Sequence, residues 1–146
     1  MNKHPRSVFA VGLLLTLALA LTASAALSEG AVPRDSVSVK AISKRHLFTA
    51  VVTYPSPLPV TRPHTWTVRL FDRRHRPVTG ARITVTGDMP AHGHGLPTAP
   101  IARARARGLY QLQGMMFQMP GRWYVQLQIR TATRLDTIRV RFTIAE

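Results

Sequence analysis

The segment Gly87–Pro97, GDMPAHGHGLP, concentrates the residues of this chain best suited to chemistry. His92 and His94 stand two apart, each followed by a glycine, with Met89 three residues upstream of the first. Imidazole suits Cu(II) and thioether suits Cu(I), so a histidine–methionine set can hold copper in either state without thiolate. The flanking glycines let the backbone bend until both rings face one ion. Asp88 is placed to orient a ligand histidine through its second ring nitrogen. The competing reading is structural: a polar turn, with methionines closing the end of an apolar core.

Positioning these side chains falls to strands. From residue 37 onward the chain breaks into eight short alternating runs, VSVKAIS, HLFTAVVTY, HTWTVRLF, ARITVTG, IARARAR, LYQLQGMMF, WYVQLQIR and TIRVRFTI. Period two is clearest where Trp123, Val125, Leu127 and Ile129 share one face, and again at Ile138, Val140, Phe142 and Ile144. The intervening Gln, Thr and Arg residues suit a sheet wetted on one side. PSPLPVTRP is too rich in proline for a central strand, and RRHRPVTG and MPGR are turn material. No helical period is evident. The pattern predicts an all-β fold, an immunoglobulin-like antiparallel β-sandwich of seven or eight strands, with a small closed barrel as the alternative.

Antiparallel strands alternate direction, so their connections alternate between the two ends of the fold. Counting strands places His64, Met89, His92, His94 and Met119 at one end, with Met115 and Met116 near it. His46 and His75 fall at the other end. The candidate metal ligands are therefore His92 and His94, joined by Met89 and Met119, with His64 behind them. Trp66 and Trp123 are in phase with apolar neighbours and belong to the predicted core. Tyr110 is placed to act as a corner tyrosine, its hydroxyl tying strand to loop.

Composition bounds the setting. The 146 residues include 20 Lys and Arg, six Asp and Glu and no Cys, for a net charge of +14. The start MNKHPR is basic; an apolar run and ASAA follow. This is the order of a secretory leader, predicted to be cleaved after Ala25. The stripe Val8–Leu21 is short for a membrane span, which needs roughly 20 apolar residues. Residues 26–36 read as a linker and 37–146 as the domain. Cleavage removes Lys3 and Arg6 and no acid, taking the charge from +14 to +12. The predicted location is periplasmic or secreted rather than membrane-anchored. An exported protein without cysteine must hold its fold by its core, or by core and ligand.

Arg103, Arg105 and Arg107 alternate with alanine in ARARAR. They read either as a strip for an anionic envelope surface or as a solvated face that discourages strand pairing. Nucleic acid is not expected as a partner, since the basic residues lack interleaved exposed aromatics. No pair of acids lies close enough in sequence or strand position for general acid–base work, and no cysteine nucleophile exists, so no enzymatic activity is expected.

The loop residues Met89, Pro90, His92, Gly93, His94 and Gly95, followed by Gly108, Tyr110, Phe117, Met119, Gly121 and Trp123, resemble the YtkA-like domain. That family joins a Met-Pro-x-His-Gly-His-Gly loop to a later Gly-x-Tyr, a Phe-x-Met and a Gly-x-Trp before a strand. The family is similar to the FixH-type accessory proteins of copper-containing oxidases. The resemblance implies an exported, immunoglobulin-like, extracytoplasmic domain working around copper or respiratory-complex assembly, with a membrane protein as a possible partner. Two functions follow as expectations: a copper-binding or copper-handling accessory protein, or a metal-free interaction module docking through the same rim or a basic sheet face.

Overall fold

A computed structural model describes residues 35–146. The predicted leader, and all but the last two residues of the predicted linker, lie outside the described residues. Nine strands follow in order: β1 (Ser36–Ile42), β2 (Phe48–Pro55), β3 (His64–Asp72), β4 (Arg82–Met89), β5 (His94–Gly95), β6 (Ile101–Ala106), β7 (Leu109–Met115), β8 (Gly121–Arg130) and β9 (Leu135–Ile144). All eight alternating runs of the sequence are strands. The ninth, β5, is two residues inside the histidine loop, too short to show a period.

The ladders between strands are all antiparallel, in the order β1-β2-β3-β7-β6-β4-β8-β9, with β5 on β4. A single pair, Thr84↔Ile101, joins β6 to β4. The path thus folds into a five-stranded and a smaller sheet facing one another, nearly closed like a barrel. This is consistent with the predicted immunoglobulin-like sandwich, and it has some of the barrel character weighed against it.

Alternation decides which face is inside. In β8, Trp123, Val125, Leu127 and Ile129 are buried while Arg122, Gln128 and Arg130 are exposed. In β2, Phe48, Ala50, Val52 and Tyr54 are buried, and in β3, Trp66, Val68 and Leu70. Aromatic rings bridge the two sheets: Phe117 lies 5.3 Å from Trp123, 5.2 Å from Phe142 and 5.9 Å from Trp66, centroid to centroid. Each such pair adds about 0.5–1.5 kcal/mol beyond its buried area. Tyr110 behaves as a corner tyrosine. Its hydroxyl donates to the Val78 carbonyl at 2.9 Å and accepts from the Ala81 N–H at 3.0 Å, fastening the β3–β4 connection.

The ladders also settle which groups share an end. His64 pairs with Met115, and Asp88 pairs with Tyr124 of β8, just beyond Met119. His64, Met89, Met115 and Met119 therefore lie toward one end. Phe48 pairs with Asp72, which puts the neighbouring His46 and His75 at the other.

Candidate functional site

The histidine loop is the tip of the β4–β5 hairpin. Asp88 pairs with Gly95 and Met89 with His94. The His92 N–H donates to the Met89 carbonyl at 3.0 Å, closing a tight turn. Gly93 then takes φ 63°, the left-handed conformation that suits glycine, and the chain reverses into β5. Four-residue hairpin loops of this kind are common. The reversal leaves the His92 and His94 rings side by side, 6.1 Å between centroids and 13° from parallel. His92 is exposed and His94 half-buried, and neither ring takes a hydrogen bond among the described residues. Imidazole binds a metal through a nitrogen lone pair in the ring plane, at about 2.0–2.1 Å, so rings stacked in this way must rotate about their side-chain bonds for both to meet one ion.

Met89 turns inward and is buried. Directly paired residues of antiparallel strands direct their side chains to the same face, so Met89 leaves the hairpin on the face that His94 uses. Its methyl group lies over Gly121, where a Cβ would collide with Met89 Cε. Gly121 itself has φ 126°, so the lack of a side chain is required twice over. Met119 stands two residues earlier, partly buried against the core. Its carbonyl accepts from Trp123 Nε1 at 3.1 Å, which pins this turn to β8. Met89, His92, His94 and the Met119 turn thus meet at one corner, linked through the Met89–Gly121 contact.

His64 belongs to β3 in the other sheet. Its ring packs 5.6 Å from Phe117 and 6.5 Å from Trp66. Nδ1 lies 3.1 Å from the Arg62 carbonyl, which can only accept, so Nδ1 carries the proton. Burial lowers the pKa of His64 against the opposing pull of that hydrogen bond, favouring the neutral ring. Its Nε2 is buried without a partner, as is Nε1 of Trp66.

Asp88 does not orient a histidine. Its carboxylate accepts from the Tyr124 hydroxyl at 2.9 Å. The reason is register: Asp88 pairs with Tyr124 across β4 and β8, and successive residues alternate faces, so Asp88 points away from the side that Met89 uses. Among the described residues no three His, Asp or Glu side chains come together as a metal group. An ion at the hairpin would rest on two imidazoles, completed by thioether sulfur or by a donor from outside.

The arginine strip is partly occupied. Arg103 Nε donates to Gln113 at 3.0 Å and Arg105 Nε to Gln111 at 2.7 Å, while a bulge interrupts β6 between Ala104 and Ala106 and Arg107 lies beyond the strand.

Residues 44–128, more than half the chain, match the family model described as YtkA-like. The chain belongs to the YtkA-like family. No curated protein and no solved structure matches it. Seen as a YtkA-like domain, its motif residues divide by burial. Tyr110, Phe117 and Trp123 are core, and a Cβ at Gly108 would meet Pro77 Cβ at 2.8 Å and the Leu70 carbonyl oxygen at 2.9 Å. These residues build the YtkA-like fold. The backbones of His92 and His94 build the hairpin, while their rings lie outside the buried core.

Proposed function

We propose that this YtkA-like domain is an exported, non-enzymatic accessory module that binds copper at the tip of its β4–β5 hairpin. One observation carries the reading: the hairpin sets two solvent-accessible imidazoles 6.1 Å apart without giving either a hydrogen bond. Copper is favoured because the donors near this corner are imidazole and thioether, with no thiolate in the chain. Export is supported by the leader pattern of the first 25 residues. Two imidazoles leave coordination positions open, which suits handing an ion to a partner more than storing it. A membrane-bound copper protein is the partner this arrangement fits.

Titrating the metal-free protein with Cu(I) and Cu(II) against a competing chelator tests the proposal. One equivalent should bind, and H92A/H94A should lose most of the affinity. Binding should weaken in acid, because imidazole must be deprotonated to ligate. M119L keeps volume and removes sulfur, so it should cost Cu(I) more than Cu(II). If wild type and H92A/H94A bind copper equally weakly, the hairpin holds no metal, and docking through the same rim becomes the reading to pursue.

A further inference from the structure

A second constellation lies on the outer face of β8 and β9, running from the β1–β2 turn along β9 to Arg141, which pairs with Tyr124. A groove of about 540 Å³ is lined by Ile42, Lys44, Gln126, Thr137, Arg139 and Arg141. Three of these six are cations and none is an acid. Two acids on the neighbouring strands are already engaged. Asp136 turns inward, where its carboxylate accepts from the backbone N–H groups of Arg45, Leu47 and Thr137. Asp88 is held by the Tyr124 hydroxyl.

The cations are also placed rather than scattered. Arg139 and Arg141 are two apart on β9 and so share its outer face. The Arg139 guanidinium carbon sits 4.3 Å from the centre of the Tyr124 ring, and its Nη2 donates to Gln126 Oε1 at 3.1 Å. Its Nε and Nη1 have no protein partner among the described residues. Lys44 arrives from the β1–β2 turn, and its backbone N–H donates to the Thr137 carbonyl at 2.9 Å. The carboxylate of Asp136 fixes that same turn. Three like charges gathered in one concavity repel one another, and a multiply charged anion relieves the repulsion. Arginine adds planar donors matched to phosphate oxygens.

We infer that this groove binds a phosphate group, with Arg139 and Arg141 as its principal donors and Lys44 as the third cation. The site uses residues of β8, β9 and the β1–β2 turn and none of the hairpin histidines, and its test uses metal-free protein, so it does not depend on the copper reading. The phosphate can be free in solution or carried by a lipid headgroup, and two probes separate these sources.

Amide shifts of the metal-free protein are followed at low salt during titration with inorganic phosphate. Binding to vesicles containing phosphatidylglycerol is measured in parallel. Phosphate should move the amides around Lys44, Gln126, Thr137, Arg139 and Arg141. R139Q/R141Q should weaken binding by at least about tenfold, on the order of one charge-assisted hydrogen bond. R103Q/R105Q removes the same charge from the other sheet and should leave binding close to wild type. If free phosphate moves nothing while vesicles bind and R139Q/R141Q abolishes that binding, the phosphate is that of a headgroup. If neither probe binds wild type at low salt, the inference falls. It falls equally if R103Q/R105Q costs as much as R139Q/R141Q, because net charge then explains the binding.

Discussion

The two ends of the sandwich use polar side chains in opposite ways. At one end Asp136 is buried, and its two oxygens accept from Arg45, Leu47 and Thr137 N–H groups at 2.8–3.2 Å. Burial works against its charge, but hydrogen bonds from the Ser43 side chain and the N–H groups of Thr137, Arg45 and Leu47 outweigh it, holding the carboxyl below its ordinary range. At the other end His92 and His94 stand on a hairpin whose turn is closed by backbone alone. Asp136 is saturated by the protein and serves construction. The His92 and His94 rings take no hydrogen bond from the described residues, and His92 is open to solvent.

Breaking the saturated end should have the largest effect on stability. D136N replaces an acceptor oxygen with an amide that faces backbone donors, and should cost about 2–4 kcal/mol in denaturant unfolding. Acid should reveal the same group. A depressed carboxyl contributes stability that is fully present above its unfolded value near 3.8 and is lost as pH falls through its lower folded value. The acid limb of the wild-type stability curve should therefore be steeper than that of D136N.

Next in size is the joint between the hairpin and the Met119 turn. G121A introduces a Cβ at φ 126° and against Met89, and should cost about 2–3 kcal/mol. Paired with M89A it should cost less than the sum of the two single changes, because the second removes the collision caused by the first. Additive costs would show that the joint does not hold the hairpin in place.

Y110F removes one donor and one acceptor at the β3–β4 corner and should cost about 1–2 kcal/mol in thermal unfolding. The smallest effect sharpens the comparison most. H92A/H94A should change unfolding free energy by no more than about 0.5 kcal/mol while removing copper binding. A loss near that of D136N would mean the histidines build the fold after all.

Much of this was legible in the chain itself. Alternation at Trp123–Ile129 and Ile138–Ile144 marked strands because a half-buried sheet imposes period two on its residues. Strand counting assigned the ends of the fold for the same reason, and the His-Gly-His loop was visible as a motif. Asp88 shows where such reading stops. Its position beside Met89 suggested a partner for a ligand histidine, but the β4–β8 register gave it Tyr124. β5 was invisible because two residues carry no period.

The sequence by itself determined eight of the nine strands, their buried faces, the family and the pair of imidazoles, since each is a matter of local spacing and residue type. Tertiary structure alone decided the rest. It brought Met89 onto Gly121, 32 positions apart. It spent Asp136 on a turn some 90 residues away and gathered Lys44 with Arg139 and Arg141 in one groove. These contacts depend on the order of strands across the sheet and on their register, which no local period in the chain encodes.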